Sequence, residues 1–268
     1  MRISTTRRPL IVLTLLLVAA APAAAAPGVR ISWDHCSADG RIANKNFACN
    51  TNSGIETLVI SFESPVARTD RTGIEISVPI FAAEPAVLPA WWQFRLPGTC
   101  RLTAVSSSLV PADPSACANP WPETAASGTA YRLADWGPSS AQLLIAAAVP
   151  APDSFSVVAG VEYFAVRVNI NHTKSVGAGA CAGCMDPVCI GIGYVKIVSP
   201  LFGDDILLAA GTDNPGGGDV AVTWQGAHVN QFFDRGGAIV RFVSMTCVPA
   251  GATATRRETW GRLRSLYR

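Results

Sequence analysis

The chain has 268 residues, a formal net charge of +2, 49% hydrophobic and only 15% charged residues, and eight cysteines. Setting aside Arg2, Arg7 and Arg8 takes the charge from +2 to −1, and setting aside the five arginines and one glutamate beyond residue 250 leaves the remaining body near −5. A mildly acidic body without clustered Lys and Arg argues against nucleic acid as a partner.

Residues 1–26 read as a secretory signal, with those three arginines, an apolar core over residues 10–18 and a small-residue cleavage region over 21–26. That core is too short for a stable membrane span, and no second run approaches the roughly 18 apolar residues a span needs. Residues 27–250 are expected to form one domain, long enough to bury a real core. Residues 251–268 form a small polar linker followed by a basic tail, in which Trp260, Leu263 and Tyr267 fall on one helical face. The tail reads as a docking or address element, or as a frayed end.

Strand signals recur along the body with turn residues between them. Residues 29–33 open the series, and the polar segment 34–54, with two cysteines, reads as a stapled loop. Residues 57–62 and 73–80 follow, the second placing Ile74, Ile76, Val78 and Ile80 on one face, with Pro79 marking an edge or a strand end. Residues 88–94 are expected as a strand that sends Trp91 and Trp92 to opposite faces. Residues 101–110, 131–136 and 141–149 come next; the alanines of the last favour helix, whereas Pro150 and the flanking turns favour strand, the reading adopted. Residues 161–170 and 190–198 flank a cysteine cluster and read as an antiparallel pair, and residues 206–210, 220–224 and 238–245 close the body. The expected fold is a single all-β sandwich, Ig-like or jelly-roll-like, with disulfide-stapled loops.

An even cysteine count behind a signal points to disulfides, with 105 possible connectivities. Spacing favours Cys36 with Cys49 and Cys100 with Cys117, both closing local loops. Of the remaining four, Cys181, Cys184, Cys189 and Cys247, the preferred bridge is Cys189 with Cys247, because both lie in strand-like surroundings. The sharpest alternative is zinc held by Cys181, Cys184 and Cys189 with Cys247 or His172 as a fourth ligand. Calcium on the loops Gly203-Asp-Asp205 and Asp213-Asn-Pro-Gly-Gly-Gly-Asp219 is a further cofactor candidate, although Asp and Asn beside Gly are also ordinary turn residues.

His35, His172 and His228 sit in no catalytic pattern, and Glu63, Glu75 and Glu162 read as solvent-face strand carboxylates before they read as a hydrolytic pair. Asn171-His-Thr173 matches a glycosylation sequon. Trp92, Trp121, Trp136 and Trp224 are the candidate ligand-binding rings, set against the more common fate of core packing. Trp33-Asp-His-Cys36, Phe47-Ala-Cys-Asn-Thr-Asn52, Leu88-Pro-Ala-Trp-Trp-Gln-Phe94 before Gly98-Thr-Cys-Arg101, Gly160-Val-Glu-Tyr-Phe-Ala165 and the cluster from Cys181 through Ile190 are similar to motifs of a family of secreted bacterial disulfide-rich β proteins with no known activity. That resemblance implies export and one intact domain. The expectation is a secreted or cell-surface protein that binds or scaffolds a glycan or an extracellular protein; the alternative is an extracellular hydrolase acting on polysaccharide or protein.

Overall fold

The computed structural model describes residues 27–84, 86–111, 117–209, 219–237 and 240–249. The expected signal segment and basic tail, and the Asp213 end of the second calcium candidate, lie outside the described residues. The architecture is all-β. A four-stranded sheet has the order β1-β3-β10-β6, formed by β1 (Gly28–Trp33), β3 (Ile55–Glu63), β6 (Val105–Ser108) and β10 (Glu162–Asn171). An eight-stranded sheet contains β2 (Asn44–Lys45), β5 (Gly73–Ala82), β7 (Ala126–Leu133), β8 (Ser140–Ala148), β11 (Val188–Gly191), β12 (Tyr194–Val198), β13 (Ile206–Ala209) and β14 (Ala221–Trp224). Its order is β13-β12-β5-β11-β14-β2, with β8 on the other flank of β5 and β7 beyond it. The pair β4 (Arg68–Arg71) and β9 (Phe155–Val157) and the hairpin β15 (Ala227–Gly237) and β16 (Val240–Pro249) complete the fold.

Alternation sets the layers. Val29, Ile31 and Trp33 of β1 and Leu58, Ile60 and Phe62 of β3 are register partners and are buried together. They share one core with Ile74, Ile76, Val78 and Ile80 of β5, as period-2 patterning requires. The alanine-rich segment is strand β8, held between β5 and β7 along its whole length.

Pro79 sits inside β5, an interior strand of the large sheet, contrary to the edge or strand end expected for it. Ala82 donates its N–H to Ser139 and Val149 donates to Thr72, so even-numbered residues of β5 bond β8 and odd-numbered ones turn the other way. Pro79 therefore directs its missing N–H at the β11–β12 flank. There the ladder is broken: β11 pairs Ile80 through Ala82, β12 pairs Gly73 through Ser77, and residues 191–193 bulge past the gap. Gly193 donates to Ser77 O at 2.8 Å, and a Cβ on it would lie 2.9 Å from Ser77 Oγ, so the bulge requires the close approach that glycine permits.

Three further expectations are corrected. Residues 90–92 form a 3-10 turn rather than a strand, and Trp91 and Trp92 are both fully buried. β10 and β11 belong to different sheets, so the cysteine cluster between them is a crossover rather than a hairpin turn. Cys36 pairs with Cys117, Cys49 with Cys184 and Cys100 with Cys181, in place of Cys36 with Cys49 and Cys100 with Cys117. Cys189 pairs with Cys247, fastening the β15–β16 hairpin to β11. Each bridge spans 58 to 135 residues of chain, so each removes more unfolded-state freedom than a local loop would. Peptide mapping without reduction is expected to recover these four pairs. Replacing Cys100 and Cys181 together by Ser is expected to lower stability by about 2–5 kcal/mol in denaturant titration; an unchanged midpoint would show that this bridge does not form.

Candidate ligand groove and the cross-linked core

The four candidate tryptophans do not form an exposed row. Trp92 and Trp224 are fully buried, with ring centroids 5.2 Å apart, and Trp121 packs on Phe155 at 5.0 Å while donating its indole N–H to Ala165 O at 2.9 Å. Trp136 is half-buried and lies 5.7 Å from Phe81. The sequence carried a signal for this outcome: Trp91 and Trp92 sit next to Leu88 and Phe94, and large rings in apolar company bury.

Around these rings the irregular segments are welded together. Arg101 is 1% exposed; its guanidinium lies 3.5 Å from the Trp91 ring centroid and donates to the carbonyls of Trp91 at 2.8 Å, Thr173 at 3.0 Å and Asn171. Burial pushes the guanidinium down to about 9, and the three acceptors and the ring face suit the cation that remains at neutral pH. Trp91 N–H donates to Ala182 O and Lys174 Nζ to Cys100 O, tying the same segments beside the Cys100–Cys181 bridge. Gly183, at φ +95°, passes against Pro89, where a Cβ would come within 2.2 Å of the proline side chain.

A chain of polar contacts that no sequence spacing reveals runs inward from the surface. Lys45 Nζ lies 2.5 Å from Asp34 Oδ1 and 2.7 Å from Glu56 Oε2, and His172 Nε2 lies 2.8 Å from Glu56 Oε1. Burial works against the Lys45 charge, but the hydrogen bonds to Asp34 and Glu56 outweigh it and leave its pKa raised. His172 stacks on Phe47 at 4.2 Å, and Gly54 passes so near that a Cβ there would lie 3.0 Å from the ring. The ring is closed off from solvent, and the contacts of Asp34, Lys45 and Phe47 tie the segment over residues 34–54 to Glu56 and His172.

The other candidate groups are also committed to partners. Both cysteines of the Cys-x-x-Cys are in disulfides with distant partners, which removes the thiolates that zinc requires. Asp204 bonds Arg71 at 2.6 Å, and Asp205 accepts from the Ser199 N–H and pairs with Lys196 at 3.0 Å, so the chain's own donors occupy the first calcium candidate. Both carboxyls are held below the usual aspartate range, Asp204 by the Arg71 hydrogen bond and Asp205 by the Ser199 amide. Glu63 and Glu162 are register partners, yet Glu63 pairs with Arg30 at 3.3 Å and Glu162 accepts from Ser37 N, Ala38 N and Ser61 Oγ. His35 bonds the neighbouring Cys36 carbonyl, and His228 is exposed on β15.

A concave feature among the described residues lies elsewhere, on the outer face of the large sheet. A groove of about 420 Å³ crosses β7, β8, β5 and β12. The strand registers place its floor in two rows, Gly128-Ala146-Glu75 and Ala130-Leu144, the second continuing to the buried Ser77, whose register partner Tyr194 lines the far side. Burial and the nearby Glu75 carboxylate raise the Tyr194 phenol above its ordinary value, and Lys196 lies 3.5 Å from Glu75. Further along the same face of β5, Phe81 is covered by Met245 and Cys247 of β16, so the hairpin shields one end of the face and leaves the other open. Small residues at alternate positions of β7 and β8 are the sequence signal for this shallow floor.

No family model matches the sequence, and no curated protein matches it. Among solved structures, a cohesin module from a family 33 glycoside hydrolase of Clostridium perfringens is similar, at 7% identity and a TM-score of 0.30, over 68% of this chain and 90% of that one. A likeness of that degree carries no argument, and the two-sheet architecture rests on the registers described above. For the core, Arg101→Lys is expected to cost about 2 kcal/mol or more in chemical denaturation, because an ammonium cannot reproduce the planar fork or the ring stacking. A loss below a few tenths of a kcal/mol would show that the guanidinium is not the tie described.

Proposed function

We propose that this chain is an exported protein with a binding or scaffolding role, and that the groove over β7, β8, β5 and β12 is its recognition surface. The observation that carries the reading is the outer sheet face, covered by a disulfide-fastened hairpin at the Phe81 end and open at the Glu75 end. A floor of Gly128, Ala130, Ala146 and Leu144 excludes little volume and offers apolar contact, while Glu75 and Tyr194 supply polar groups at one end. Mostly apolar concavities with few polar groups are the usual form of a ligand site. Four bridges hold the scaffold, so binding there need not order a loose chain first.

Four disulfides fit an oxidising, extracellular setting. Among the described residues no helix is long and apolar enough to cross a membrane. Between glycan and extracellular protein, the groove's content supports the second: a floor of small aliphatic groups favours a peptide side chain over a sugar ring, which stacks best on an exposed aromatic face. Methyl-observed NMR of the protein, titrated with oligosaccharides and with peptides, is the test. Binders are expected to shift the Leu144 and Ala146 methyl resonances, and Ala146→Trp, which fills the floor, is expected to weaken them at least about tenfold without unfolding the protein. Binders that ignore that substitution would place recognition elsewhere.

A further inference from the structure

The outer strand of the large sheet, β7, pairs with β8 and with no other strand of that sheet. Because odd-numbered residues of β8 bond β5, its even-numbered residues bond β7, in keeping with the Ala134 N–H that donates to Ser140 O. The register then assigns the backbone groups of Gly128, Ala130 and Arg132 to β8, and those of Ser127, Thr129, Tyr131 and Leu133 to the free edge. Among the described residues none of these four amide N–H groups has a hydrogen-bond acceptor.

Protective devices along this edge are confined to its ends, where Ser127 Oγ bonds Ser107 Oγ of β6 at 2.9 Å and Arg132 carries a charge; it has no proline, no lysine and no bulge in its pairing with β8. Its outward side chains are Ala126, Gly128, Ala130 and Arg132, and a Cβ added at Gly128 would meet nothing within 4 Å. The groove begins at this edge, since Gly128 and Ala130 form the ends of its two rows.

We propose that the free edge of β7 captures an extended peptide segment as an additional strand, whose alternate, large apolar side chains lie over Gly128 and Ala130 into the groove towards Leu144 and Ala146. The inference rests on the groove reading and adds the partner's chemistry. Only an extended backbone presents donors and acceptors at the spacing of the four edge residues, and the groove then selects among side chains. A strip one strand wide and about 26 Å long offers far less than the roughly 1,200 Å² of a specific globular interface. That shortfall favours a peptide strand, which uses edge and groove together, over a second copy meeting edge to edge.

The probe is a short blocked peptide of alternating threonine and leucine with terminal lysines, titrated into the full chain by calorimetry. Two further versions carry N-methyl groups on alternate residues, one on the set facing β7 and one on the opposite set. Thr129→Pro removes an edge N–H that β8 does not use, so the variant is expected to fold, whereas Ala130→Pro breaks the ladder and serves as the parity control. The expected result is saturable binding, at least about tenfold weaker with one methylated version only and with Thr129→Pro. Binding that survives both methylation patterns and Thr129→Pro yet fails with Ala146→Trp would overturn strand addition and leave the groove reading standing. Absence of peptide binding, alongside other ligands that shift Leu144 and Ala146, would do the same; binding unaffected by every substitution would overturn both. If Thr129→Pro fails to fold, the methylated pair decides alone.

Discussion

The rest of the structure depends on how the buried guanidinium of Arg101 is satisfied. A cation removed from water is costly unless each donor finds an acceptor, and here the acceptors are main-chain carbonyls of Trp91, Asn171 and Thr173. The requirement fixes two irregular segments, one between β5 and β6 and one between β10 and β11, against each other. Trp91 lies under the guanidinium at 3.5 Å, donates its indole N–H to Ser175 Oγ at 3.0 Å and packs 5.4 Å from Trp224. The tie therefore reaches from a loop into the core of the large sheet. Cys100–Cys181 and Cys49–Cys184 cross-link the same region, so covalent and electrostatic constraints coincide.

With its irregular segments consolidated in this way, the molecule is asymmetric. The inner faces of both sheets meet in one core, and the outer face of the large sheet is divided between hairpin and groove. On β5, the odd-numbered positions run from Glu75, exposed, through Ser77, which accepts from Gln142 Nε2 at 2.8 Å, and Pro79 to Phe81, buried under β16. A single strand face thus passes from solvent to core, and the small residues of β7 and β8 continue the open part outward to the sheet edge.

Much of the fold was legible because alternation is a local property. β3, β5, β10 and β14 follow from apolar spacing alone, and β8 reads as a strand despite its alanines because Pro150 and turn residues bound it. What was not legible is decided by distant parts of the chain. Pro79 reads as an edge signal unless it is known that residues 191–193 bulge beside it. The 3-10 turn at Ala90–Trp92 has no local signature that distinguishes it from a strand, and both rings bury because loops from elsewhere close over them. Sequence proximity favoured Cys36 with Cys49, whereas topology brings Cys36 to Cys117 and Cys49 to Cys184. The chain of contacts from Asp34 to His172 joins residues from four separate segments, and no spacing rule reaches across them. The groove escapes a sequence reading because the strand signal at residues 131–136 leaves Gly128 and Ala130 outside it, whereas β7 begins at Ala126, and because its open end depends on where β16 lies.

Among the described residues, the disulfide-linked body leaves the β7 edge without a strand partner beside the groove. Residue-resolved amide hydrogen exchange on the unliganded full chain tests it most directly, because strand parity makes the expectation alternate along β7. Gly128, Ala130 and Arg132 are expected to exchange slowly, and Ser127, Thr129, Tyr131 and Leu133 rapidly. Uniform protection along the strand would contradict the account by showing that another part of the chain already occupies the edge; uniformly fast exchange would show that β7 is not held in the sheet.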